Sequence, residues 1–285
     1  MEIEKKIIYV LAFSIFWALE IFFTKLALNN GAEFLPLSLQ NMLLGGIILL
    51  FYVLITKRDK VKNVKKKYIS RIFLMGFFLT IGYLLSIYGL NLSTSVNYGF
   101  LIKTTIVFTP FLGFLLLKEK FNKNKVFLLI TLLLGAYLMT VGINRIIPRV
   151  GDLLIIGAAF FFSSAVIIQK PLTNNIDPNV VSVSRILVSS FFLLIIFLFL
   201  SSVTFKIQTP IYGILIAFSF AMNEIFLSKT LSVSSVSYFS MMSMSVPIII
   251  SILGLIFLKE SLGLFQGIGG IIIIISGILT QKKNI

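Results

Sequence analysis

The sequence predicts an all-α integral membrane protein of ten transmembrane helices, built as two inverted five-helix repeats. Three observations carry that expectation. Of the 285 residues, 58% are hydrophobic and only 12% charged, and the mean hydropathy is +1.05; a water-facing surface needs far more charge than this. Apolar runs of about 20 residues recur along the chain, each long enough to cross a ~30 Å hydrocarbon layer as a helix. The chain is also written twice. Leu116-Leu117-Lys118-Glu119 returns as Phe257-Leu258-Lys259-Glu260 at an offset of 141, Ser95-Val96-Asn97-Tyr98 as Ser235-Val236-Ser237-Tyr238, and Lys25 with Asn29-Asn30 as Lys170 with Asn174-Asn175 at an offset of 145. Such duplication in a membrane chain marks a repeated structural unit.

The first repeat occupies residues 1–145. Its first span, near 7–28, follows Lys5-Lys6 as a signal peptide would, but it lacks a small-residue cleavage site and has a partner in mid-chain, so it is expected to be retained. The second span is near 35–56, and the longest polar stretch, 57–67, is a loop. Spans three (70–91) and four (95–117) are separated by almost nothing and form a tight hairpin, and span five is near 125–142. The second repeat, 146–285, gives spans near 152–170, 180–201, 210–231, 234–257 and 263–280, with a second tight hairpin between spans eight and nine. Five spans per copy force the second copy to be inverted.

Net charge is +15. The lysines and arginines flank spans, so they are read as orienting the helices in the bilayer rather than as a nucleic-acid surface. Eighteen fall on the side of the amino terminus and five on the other, which predicts both termini in the cytoplasm of a multi-pass cell-membrane protein. Cysteine and histidine are absent. That excludes disulfides, thiol nucleophiles, Ser-His catalysis and ordinary Cys/His metal sites. No cofactor and no metal is expected, and the acids are scattered singly, so no enzyme is expected either.

Six ionisable residues fall within spans: Glu20, Lys25, Lys103, Arg185, Glu224 and Lys229. Lys25 and Lys229 lie near span ends and are expected to snorkel. A central charge costs ~2.5–3.5 kcal/mol on an insertion scale, so the other four should face a cavity or a partner. Counting ~1.5 Å per residue puts Glu20 level with Lys103, and Arg185 level with Glu224. Two ion pairs are therefore predicted, on opposite sides of the midplane. They either hold helices together or line a cavity where they open to a zwitterion, and a desolvated glutamate there would be a proton site.

Asn223, adjacent to Glu224, is expected to meet the same cavity. Trp17, Tyr83 and Tyr98 are candidates for an aromatic wall that recognises an apolar or cationic group; Tyr83 stands where the other copy has Glu224. The candidate substrate-binding set is thus Trp17, Glu20, Tyr83, Tyr98, Lys103, Arg185, Asn223 and Glu224. Pro110 and Pro247 interrupt corresponding spans and are candidate hinges or static kinks. Ser237, Ser240, Met244, Pro247 and Ser251 share one face of span nine, and Ser219, Asn223 and Thr230 one of span eight; close packing accounts for most of these. Gly267, Gly269, Gly270 and Gly277 in span ten suggest a packing face, with another subunit as one candidate partner.

Together these features resemble the drug/metabolite transporter superfamily, specifically the ten-span EamA-type permeases, over essentially the whole chain. The carrying residues are Trp17 with Lys25, Tyr88-Gly89-Leu90, Pro247 with Glu260, Glu119 and Arg185. Departures are Ala18 after the tryptophan, Pro110 one turn late, and Gln40 or Asn41 where a second arginine is usual. The resemblance implies a secondary transporter of small organic metabolites, amino acids or related compounds, commonly exported, by alternating access around a midplane cavity. Spans one to four and six to nine would surround it, with five and ten peripheral. The partners implied are the small-molecule substrate and the lipid bilayer, with protons as a candidate coupling ion; the sequence leaves the oligomeric state open. Rival readings are a carrier of cations or of phosphorylated or nucleotide-linked sugars, an intramembrane enzyme, and a channel or scramblase.

Overall fold

The computed structural model describes residues 2–61, 64–117, 149–200, 207–236, 245–261 and 263–282, with isolated positions within 127–138 and 238–243. Among these residues every regular element is helical. The helices are α1 (Glu2–Asn29), α2 (Phe34–Thr56), α3 (Ile69–Leu92), α4 (Ser95–Leu101), α5 (Thr105–Leu117), α6 (Val150–Thr173), α7 (Pro178–Leu200), α8 (Pro210–Val233), α9 (Ser245–Phe257) and α10 (Leu264–Lys282). A 3₁₀ turn, Ile102–Thr104, joins α4 to α5 within span four. Among the described residues, seven spans are long and apolar enough to cross a membrane: Lys5–Asn29, Phe34–Thr56, Lys66–Leu92, Ser95–Leu117, Val150–Thr173, Pro178–Leu200 and Pro210–Val233. Ser245–Phe257 and Leu264–Ser276 are shorter apolar helices. Most of the expected fifth span lies outside the described residues, as do Glu119, Ser237, Ser240 and Met244.

Polarity is reversed relative to a water-soluble fold. Phe199 is 86% and Ile55 80% exposed, whereas Lys103 is wholly buried and Arg185 and Glu224 almost so. Only a hydrocarbon solvent makes that arrangement favourable. The chain is a multi-pass membrane protein.

Packing is mainly between the two halves. α1 lies on α8 and α9, α3 on α6 and α7, α2 on α7 and α8, α5 on α6, and α4 on α9. Exchanging the copies maps this set onto itself. The α3–α6 contact becomes α8–α1, α3–α7 becomes α8–α2, and α6 against span four becomes α1 against span nine.

The repeat extends to single atoms. Lys25 Nζ donates to the carbonyls of Leu90 (3.0 Å) and Ser93 (2.6 Å) at the end of α3. Lys170 Nζ donates to those of Leu231 (2.7 Å) and Ser234 (2.8 Å) at the end of α8, the same positions in the second copy. The final carbonyls of a helix have no intrahelical partner and carry its negative pole, so an ammonium is well placed there. This corrects the expectation that Lys25 snorkels: its head is bound inside the bundle. Lys229 is half-buried over the rings of Phe226 (5.5 Å) and Tyr9 (5.9 Å). Asn30 and Asn175 likewise cap equivalent carbonyls, of Leu26 (2.7 Å) and Pro171 (2.9 Å). The tight turn into α4 is held from the other copy: Glu260 accepts from Ser95 N (2.8 Å), Ser95 Oγ (2.8 Å) and Val96 N (2.9 Å).

The glycines of α10 form a packing face, as expected. A Cβ on Gly270 would lie 2.8 Å from the ring of Phe100, and one on Gly135 only 3.0 Å from Gly269 O. Ser276 Oγ donates to Thr131 Oγ1 at 3.1 Å. The small residues admit neighbours within the same chain. Gly267 has nothing within 4 Å of its missing Cβ.

Where α3 crosses α6, Gly89 meets Gly151. A Cβ on Gly89 would sit 2.8 Å from Ile155 Cγ1 and 2.9 Å from Gly151 O, an unyielding backbone atom. Gly89→Ala is therefore expected to cost about 1–3 kcal/mol through overpacking, read as a lower unfolding midpoint in detergent. Gly267→Ala, with open space around it, should leave the midpoint unchanged or raised.

Candidate functional site

A cavity lies between the halves, walled by α1, α3, α4, α5, α6, α7, α8 and the approach to α9. Water centres can reach about 70 Å³ of it; one water takes ~10–15 Å³ by this measure, so it holds several waters or part of a small organic molecule. Seven of the eight expected substrate-binding residues line it: Trp17, Glu20, Tyr83, Tyr98, Arg185, Asn223 and Glu224. Each reaches the wall because helical spacing puts the polar member of an otherwise apolar span on its inward face.

The pair Arg185–Glu224 is formed, Nη2 to Oε1 at 2.8 Å. Arg185 Nη1 donates to Gln169 Oε1, and Gln169 Nε2 donates to Ser228 Oγ at 2.6 Å. Ser182 Oγ reaches both Ser228 Oγ (2.6 Å) and Glu224 O (2.7 Å). Hydrogen bonds to the remaining valences are what offset the desolvation of a buried pair, and here they are met in part. Gln169 was legible as a lone amide within an apolar span; attention to charges alone passed over it.

The pair Glu20–Lys103 is not formed, which corrects the second expected ion pair. Glu20 accepts from Asn223 Nδ2 instead. Lys103 does not itself line the cavity but sits behind two residues that do: Nζ donates to Ser243 Oγ at 3.1 Å and lies 4.5 Å from the Trp17 ring centroid. Equal depth along the membrane normal is one coordinate of three. Lys103 lies within the 3₁₀ turn Ile102–Thr104, where α-helical spacing no longer sets the direction of its side chain, and nothing in the local composition marks that turn. Lys103 and Ser243 are equivalent positions at the 140-residue offset, so the two copies touch at matching points.

Pro110 lies within α5 and Pro247 three residues into α9. In span four the interruption precedes the proline, at the 3₁₀ turn. Tyr98 and Ser86 bond through their hydroxyls, and the Tyr83 ring packs at a tilt of 54° against that of Phe220, with centroids 5.4 Å apart. Thr109 Oγ1 donates to Ser163 Oγ at 2.9 Å across the α5–α6 side of the wall. Tyr83 Oη, Arg185 Nε and Glu224 Oε2 are buried with no hydrogen bond among the described residues. All three side chains line the cavity, and buried polar atoms normally have partners. The described residues contain no cluster of acids fit to hold a metal.

The profile of the EamA-like transporter family matches residues 4–141 and again 149–280. The chain belongs to the EamA-like transporter family. Two consecutive matches agree with a two-repeat architecture. A curated relative, described as an "Uncharacterized transporter" of Methanothermobacter thermautotrophicus, is 30% identical over 202 residues. That match covers 67% of this chain and 58% of the relative, so the chain spans under two thirds of that protein's length. A solved crystal structure superposes with a TM-score of 0.68 at 13% identity, covering 95% of this chain and 98% of its own, a likeness of fold alone. An EamA assignment points to transport and away from catalysis.

Removing one member of the buried ion pair strands the other. Arg185→Met alone is expected to cost about 3–5 kcal/mol, and the double change Arg185→Met with Glu224→Leu to recover most of that loss. A double-mutant cycle on thermal unfolding checks this.

Proposed function

We propose that the protein is a secondary transporter of small organic metabolites bearing an amino group, amino acids or related amines, moving them by alternating access. The observation that supports this reading is the cavity itself. In an EamA chain, it lies where the two copies meet, with a tethered ion pair, a separate carboxylate and seven aromatic residues on its wall, Trp17, Tyr83 and Tyr98 among them. Cavities at repeat interfaces are where such carriers bind substrate.

The finer parts of the proposal are these. There are ten spans in two inverted repeats, 1–145 and 146–285, with both termini cytoplasmic as the lysine distribution favours. Net movement is outward across the cell membrane, and protons are the candidate coupling ion, with Glu20 the group to carry them. The self-mapping set of helix contacts and the paired lysine caps support inverted copies. Rocking of one helix set against the other would expose the cavity to each side in turn. A carrier of phosphorylated sugars is disfavoured by this site, because both terminal nitrogens of Arg185 are engaged and Lys103 does not line it.

Counterflow in proteoliposomes tests the reading. Vesicles preloaded with a metabolite mixture should take up a labelled amine or amino acid faster than empty ones, and the rate should saturate. Flux that rises linearly with concentration and ignores the internal pool would identify a channel instead.

A further inference from the structure

We propose that the cavity's ligand is an organic monocation, an amine or ammonium without a free carboxylate, whose charged nitrogen seats on Glu20. This rests on the transport reading above and narrows its substrate class. Three ionisable groups that line the cavity decide the matter: Glu20, Arg185 and Glu224. Arg185 and Glu224 neutralise each other at 2.8 Å. Both terminal nitrogens of Arg185 are taken, by Glu224 and Gln169. The one Arg185 donor left unengaged is Nε, and a ligand carboxylate taken there would lie beside Glu224 and close to Glu20, an arrangement that discriminates against it.

Glu20 is the opposite case. It is 7% exposed, and no cationic side chain pairs with it among the described residues. Its polar neighbours are neutral: Asn223 Nδ2 donates to Oε2, and the Tyr83 hydroxyl lies beside the carboxylate. Lys103, level with it along the membrane normal, is committed to Ser243 and the face of Trp17. An isolated carboxylate in a dry site is costly, and a cation brought by the ligand offsets that cost. Trp17, Tyr83 and Tyr98 stand on the same wall, and aromatic faces attract ammonium groups. Lys103 already occupies one face of Trp17, which leaves Tyr83, beside Phe220, and Tyr98, bonded through its hydroxyl to Ser86, to meet the ligand's body.

Trp17 is the chain's only tryptophan and lines the cavity, so its fluorescence reports the site directly. Four phenyl probes of similar size isolate the charge: phenethylammonium, phenylalanine, 3-phenylpropanoate and 2-phenylethanol, titrated onto the purified full-length protein at neutral pH. Phenethylammonium should change Trp17 emission saturably and bind about tenfold or more tighter than each of the others, a margin in keeping with one desolvated ion pair. Glu20→Gln, which keeps a hydrogen-bonding partner for Asn223, should erase that margin while leaving 2-phenylethanol unaffected. If the variant does not fold, the wild-type series still decides. Equal or tighter binding of phenylalanine or 3-phenylpropanoate would overturn the charge class and leave the cavity as a substrate site. Saturable binding by none of the four would overturn both this inference and the transport reading.

Discussion

A charge in the hydrocarbon layer has no water to fall back on, and most of this structure follows from that constraint. Each deep ionisable side chain is taken inward and given company. Arg185 has Glu224 and Gln169, Glu20 has Asn223, and Lys103 has Ser243 and the ring of Trp17. The ammonium groups of Lys25 and Lys170 close the open ends of α3 and α8. With polarity collected in the middle, the perimeter is left to phenylalanine, leucine and isoleucine, and a hollow with chemically varied walls forms where the copies meet. The same requirement that keeps the fold dry outside builds a place for a solute inside.

The two copies share a frame and differ in furniture. Caps at Lys25 and Lys170, Asn30 and Asn175, and the crossing pattern of the helices are reproduced closely. The cavity wall is not. Tyr83 stands where the second copy has Glu224, and Gln40 spends its side chain on the backbone of Gln208 whereas Arg185 faces the hollow. Duplication conserves what holds helices in register and leaves free what a solute touches.

Much of this was legible in the amino-acid sequence, because the rules that govern it are one-dimensional. Span positions follow from hydropathy, the repeat from matching words at fixed offsets, and the Arg185–Glu224 pair from depth, since α7 and α8 are regular helices throughout. The Glu20–Lys103 pair failed for a reason in the other two dimensions. Residue 103 lies in a 3₁₀ turn, where α-helical spacing no longer sets its direction, and depth carries no information about azimuth. Lys25 misled differently. Its place near a span end fits a head reaching for water, but the neighbouring α3 ends at the same height with carbonyls to spare. Neither turn type nor the height of a neighbouring helix end can be read from local composition.

The lysine caps constrain how the protein can move. Lys25 joins the end of α1 to the end of α3 at Leu90 and Ser93, one residue short of the turn that opens α4, and Lys170 does the same for α6 and α8. Each lysine thus braces a pair of helices, and deformation within a pair would strip a desolvated ammonium of its acceptors. The seams between the copies carry polar tethers of their own: Ser93 Oγ donates to Asp152 Oδ1 at 2.7 Å, Asn223 donates to Glu20, and Glu260 grips Ser95 and Val96. The struts therefore act as a kinematic filter, stiffening two helices in each copy and steering strain toward those carboxylate tethers.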